Sequence, residues 1–178
     1  MPTTYAHYKF GKEVLSALPR PLQNSIEAHR ELFDIGLHGP DILFYYNALK
    51  KDPVNEQGHT LHEQFADEFF HHAVEVIEKA KDPAAARAYI YGFICHFALD
   101  SECHPYVEKI MQVGRVSHNE IEMELDRMML TEDYHDPLRY LTAKHIQPKM
   151  EYAEVIAPFF KDVTAEQIYK ALKDGFLS

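Results

Sequence analysis

The sequence is short of cysteine, of basic charge and of long apolar runs, and each shortage removes a class of protein. Its only cysteines are Cys95 and Cys103. If one helix carries both, they lie about 12 Å apart along the axis at ~1.5 Å per residue, too far for a disulfide, so reduced thiols are expected. Lys and Arg number 18 against 28 Asp and Glu, a formal net charge of -10, so the chain as a whole repels phosphate polymers and anionic membrane surfaces. A polyanionic substrate would have to be held locally, for instance by metal ions. No apolar run approaches the roughly 20 residues of a membrane span; residues 84 to 99 come nearest, and Arg87 and His96 interrupt them. The opening "MPTTYAHYKFGKEV" lacks the basic, apolar and small-residue sections of a secretory signal, so a cytoplasmic location is expected. Sustained alternation of apolar and polar residues is missing too, which argues against strands.

What is present is helical patterning. With 178 residues and 46% hydrophobic content, the chain supports one sizeable core, so a single all-α, multi-helix domain over residues 1–178 is expected. Pro21 suits a first helical turn and Gly36 a C-terminal cap, which predicts one helix between them. Thr60 and Glu63 read as a capping box, with Phe69, Ala73, Val76 and Ile77 on the buried face of the helix that follows. Asp82 and Pro83 open another helix, which runs to about residue 103, where His104 precedes Pro105. Ser117 with Glu120, and Thr164 with Gln167, repeat the capping pattern. The stretch from Gly36 to Gly58 contains a Gly-Pro-Asp turn and an Asp-Pro step, so it reads as an irregular wall beside a site. Six to eight helices account for the whole.

Histidine is the outlier, with 12 in the chain. A single histidine on an apolar face is most often a hydrogen-bonded core residue. Here, however, His96 and Asp100 stand four apart on a strongly apolar helix, and His118 and Glu122 repeat that spacing on the next helix, with Asp126 one turn further on. Residues four apart share a helix face, so each pair can present an imidazole and a carboxylate to one ion. His104 lies one turn beyond Asp100; His62 falls in the first turn of its expected helix, and His59 just before the Thr60 cap. His7 and Asp41 occur in apolar or turn-rich surroundings. Burying so many ionisable groups without a metal would be costly, and N and O donors of this kind suit zinc.

The ordered set His7, Asp41, His62, His96, Asp100, His104, His118 and Glu122 resembles the zinc-dependent phospholipase C family, whose all-α fold is shared with zinc-dependent single-strand nucleases. The resemblance rests on "GFICHFALDSECHPYV" followed by "HNEIE". It implies that His62, His96 and Asp100 hold one zinc, that His104, His118 and Glu122 hold a second, and that Asp100 bridges to a third held by His7. Asp41 would then stand beside the attacking water as the catalytic carboxylate. In secreted relatives the processed amino terminus helps to hold the third ion, whereas this chain begins "MPTTYAH", so two or three Zn²⁺ ions are expected.

The chemistry implied is metal-assisted phosphoester hydrolysis, in which paired ions acidify a water and neutralise charge on the phosphoryl oxygens. The expected substrate is a small phosphodiester or a phospholipid headgroup; the acidic balance makes nucleic acid the weaker candidate. Two rival readings are an HD-type phosphatase and a metal-binding protein without catalysis. The only adjacent His-Asp pair, His135-Asp136, sits before a proline in an expected loop and lacks the ordering of the HD family.

Overall fold

The computed structural model describes residues 4–63 and 65–176, apart from the Glu63 side chain. Its helices are α1 (Thr4–Ala17), α2 (Arg20–Glu27), α3 (Arg30–Gly36), α4 (Pro53–Glu63), α5 (Ala66–Lys79), α6 (Pro83–Val113), α7 (His118–Glu132), α8 (Met150–Ile156) and α9 (Ala165–Phe176). Two 3-10 helices, Gly39–Tyr45 and Ala157–Phe159, complete the set, and no strand occurs among the described residues. The fold is all-α.

The long helix α6 is the axis of the molecule, and α1, α2, α3, α5, α7, α8 and the first 3-10 helix all pack on it. It starts where expected: the Asp82 carboxylate accepts the backbone N–H groups of Ala84 and Ala85 at 3.1 and 3.0 Å, satisfying donors that have no partner within the helix. The capping boxes at Ser117 and Thr164 also form, each with reciprocal hydrogen bonds to the residue three places on. The main core gathers Ile42, Leu43, Tyr89, Phe93, Ile156 and Leu172, among others. A second cluster joins Leu15, Ile26, Phe33, Leu37 and Cys95 under α1 to α3.

Several boundaries differ from the sequence reading, each for an identifiable reason. The expected helix from Pro21 to Gly36 is two helices, because the chain turns at Ala28 and His29, whose φ of -134° and ψ of 42° are not helical. Thr60 does not start a helix. It lies in the last turn of α4, where its hydroxyl donates to the Glu56 carbonyl at 3.1 Å, and α5 begins only at Ala66. His62 is thus at the end of one helix rather than at the start of the next. Pro105 does not end α6, which runs on to Val113. The missing N–H frees only the carbonyl of residue 101, and both positions are exposed, so solvent can take up that carbonyl. Cys95 and Cys103 therefore share one helix, and both are free thiols.

Gly36 acts through its size rather than as a left-handed cap. A Cβ there would lie 2.1 Å from the Tyr89 carbonyl oxygen, and one at Gly92 would lie 2.1 Å from the Phe33 carbonyl oxygen. The two glycines let α3 and α6 cross backbone to backbone. That crossing sets Leu37, at the end of α3, directly against the residues of α6 that carry His96.

Candidate metal centre

His96 is 2% exposed. Its Nδ1 lies 3.2 Å from the Leu37 carbonyl oxygen, an atom that can only accept, so Nδ1 carries the hydrogen and Nε2 presents its lone pair elsewhere. Gly39, at a left-handed φ of 52°, lets the backbone lie against the same ring, since a Cβ there would be 2.3 Å from His96 Cδ2. His62 is oriented in the same way, with Nδ1 donating to the Gly58 carbonyl at 2.7 Å. Imidazoles held through Nδ1 by a carbonyl, with Nε2 aimed at carboxylates, are set up as metal ligands.

The carboxylates stand opposite those nitrogens. Asp100 Oδ1 lies 3.2 Å from His7 Nε2, and Asp100 Oδ2 lies 3.3 Å from His96 Nε2. The same Oδ2 is 3.8 Å from both His62 Nε2 and His104 Nε2. Asp41, 3% exposed, places Oδ1 3.0 Å from His62 Nε2. On α7, His118 Nε2 meets Glu122 Oε1 at 2.7 Å, and the rings of His104 and His118 stand edge to face at 5.2 Å. The rings of His7 and His96 stack at 4.2 Å. All eight residues singled out in the sequence thus lie in one connected patch.

Their grouping differs in part from the one the resemblance implied. Three sets bring their ligand atoms within 4.8 Å of one another: His7, His96 and Asp100; Asp41, His62 and His96; and His104, His118 and Glu122. The last set brings together the same three residues that the resemblance grouped. His62, however, pairs more closely with Asp41 than with Asp100, so Asp41 stands inside a candidate ligand set and not only beside it. His59 belongs to none of these sets; it lines the cleft beside them, with its ring against Phe44 at 4.5 Å.

Electrostatics join the sets. Burial would raise the Asp100 carboxyl, but the imidazoles of His7 and His96 set against its oxygens outweigh it and hold the group well below the usual carboxylate range. Burial would lower His62, but the Asp41 carboxylate against its Nε2 pushes it up to about 9. His96 also rises, because Asp41 and Asp100 together overcome its burial, whereas burial, with His96 alongside, lowers His7. A proton or a metal ion can fill the space between each imidazole and its carboxylate. Asp41 Oδ1, His96 Nε2 and His7 Nδ1 are buried without a hydrogen-bond partner. Together with a donor set of imidazoles and carboxylates, this fits zinc.

The chain matches the family described as zinc dependent phospholipase C over residues 6–174. It belongs to that family. No curated protein and no solved structure matches it. Membership supports a zinc-dependent hydrolase, and no helix among the described residues is long and apolar enough to cross a membrane.

One contributor was missed in the sequence. Asp126, read there only as an extension of the Glu122 face, accepts the backbone N–H groups of Tyr5 and Ala6 at 3.0 and 2.9 Å. It caps the first turn of α1 and so fixes the turn that bears His7. Its spacing from Glu122 was visible, but the helix it caps lies 120 residues away in the chain.

Proposed function

We propose that this member of the family is a zinc phosphodiesterase of phospholipase C type, acting on a small phosphodiester or a phospholipid headgroup. The observation that carries this reading is the linkage of three candidate ligand sets through Asp100 and His96, below a cleft of about 820 Å³ that is lined by Asp41, His62, Asp100, His104, His118 and Glu122. Zinc held there would supply positive charge for the phosphoryl oxygens and acidify a water toward neutrality.

The chain's own residues have separable tasks. The Leu37 and Gly58 carbonyls keep His96 and His62 in the tautomer whose Nε2 faces the carboxylates. Asp126 and the stacking of His7 on His96 hold His7 to Asp100. Asp41, at the floor of the cleft, accepts the proton of the attacking water; a carboxylate within hydrogen-bond reach of that water is what general-base catalysis requires. As the ester P–O bond breaks, the leaving alkoxide takes its proton from water in the open cleft. Turnover of a chromogenic phosphodiester by zinc-loaded protein, lost on chelation and regained with zinc, is the expected result; zinc-loaded protein inert toward phosphodiesters and phosphomonoesters alike would leave the reading of a metal binder without catalysis.

A further inference from the structure

Beside the polar cleft a second cavity opens onto the same side chains. It has a volume of about 210 Å³, and Phe65, Phe69, Phe70, Phe93 and Phe97 line it. Phe69 stacks on Phe93 at 4.3 Å, and Phe70 stands edge-on to Phe97 at 5.8 Å, so the wall is built of rings that brace one another. His62, His96, Asp100 and His104 form its polar end. Three of these, His62, Asp100 and His104, also line the open cleft. Among the described residues Ser101 is the only other polar side chain there, and no Lys or Arg contributes. Phe65 is nevertheless 90% exposed and Phe97 43% exposed, which leaves ring surface in water at the edge of the chemistry.

We propose that this cavity binds one ester substituent of the substrate, a single compact apolar group such as a six-carbon chain or a ring. The proposal rests on the phosphodiesterase reading and narrows its substrate class. A phosphoryl group held between His62, Asp100 and His104 has one side facing the polar cleft and the other facing the phenylalanines. The rings offer no charge and almost no hydrogen bonds, so an anionic or hydroxyl-rich headgroup would be poorly satisfied there. Size decides the rest. A cavity of about 150 Å³ accepts benzene, so this one takes a ring or one short chain and has no room for the paired long chains of a diacyl lipid.

The test measures calorimetric binding of methyl-, hexyl- and decylphosphonate to zinc-loaded protein, below the micellar range. Each methylene leaving water adds roughly fourfold in affinity at most, and ordering the chain offsets part of that. Hexylphosphonate is therefore expected to bind at least about tenfold more tightly than methylphosphonate, and decylphosphonate no more than about threefold more tightly than hexyl. In Ala66→Phe, which fills the cavity, the hexyl-to-methyl ratio is expected to fall below about two. Phe97→Asp, which lines it with charge, should do the same if the first variant does not fold. Equal binding of the methyl and hexyl compounds overturns the proposal, as does an undiminished gain from hexyl to decyl, or a ratio that survives in both variants. If methylphosphonate shows no zinc-dependent binding, it is the parent reading that fails.

Discussion

Replacing Asp100 by alanine should separate the linked ligand sets. Its two oxygens lie 3.2 to 3.8 Å from His7, His96, His62 and His104, so among the described residues no other carboxylate faces as many imidazoles. Because His7 and His96 hold its carboxyl well below the usual carboxylate range, it is available as a charged ligand at neutral pH. Zinc at a hundred times its Kd adds ~2.7 kcal/mol per site, and 1 kcal/mol moves Tm by roughly 2–4 °C in a chain of this size. Two occupied sites thus raise Tm by roughly 10–20 °C over chelated protein. Asp100→Ala removes the carboxylate of the His7 set and a neighbour of His62, while His104, His118 and Glu122 remain together. The zinc-dependent rise should then fall to roughly 5–10 °C, with a matching loss of bound zinc by elemental analysis. Differential scanning calorimetry with and without chelator measures it. An undiminished rise in the variant would refute the argument that Asp100 joins the sites.

Asp41→Asn is expected to lower kcat by at least about a hundredfold, in line with the loss of a general base, while helix content by circular dichroism is unchanged; wild-type turnover would remove Asp41 from the reaction. Gly92→Ala drives a methyl into the Phe33 carbonyl at the α3–α6 crossing, and an overpacked core contact costs about 1–3 kcal/mol, so urea denaturation should show that loss together with weaker zinc binding through Leu37 and His96. The zinc-free protein should also lose stability in acid. His38 and His145 face each other with Nε2 atoms 2.7 Å apart, and burial lowers both, His145 to about 4. The unfolded chain binds these protons first, so stability from the pair is complete above about pH 6.5 and declines toward pH 4. For His145 alone the full loss is about 3 kcal/mol, from the difference between about 6.5 unfolded and about 4 folded. His145→Phe should flatten that part of the stability profile, and an unchanged slope would contradict the assignment.

How much of this was legible in the sequence depended on whether the physics was local. Caps are local, and Asp82, Ser117 and Thr164 start helices as their side-chain chemistry requires. Thr60 shows the limit: the same Thr-x-x-Glu spacing falls in the last turn of α4, because a helix already running from Pro53 satisfies Thr60 through Glu56. Pro105 failed as a stop signal because its cost falls on exposed backbone. For the site, the i to i+4 pairs His96–Asp100 and His118–Glu122 needed only helical spacing. The pairing of Asp41 with His62 depends instead on α4 folding back over the 3-10 helix, and the contact of α3 with His96 depends on the glycines at the crossing. Those are products of packing, and no periodicity in the sequence encodes them.

The central claim is that zinc sits among these eight side chains, and anomalous scattering at the zinc edge from crystals of zinc-loaded protein tests it most directly. More than one peak is expected, one of them between His104, His118 and Glu122 and the rest against Asp100, among His7, His96, His62 and Asp41. A map with no peak there, or with zinc only at surface carboxylates elsewhere, would contradict it.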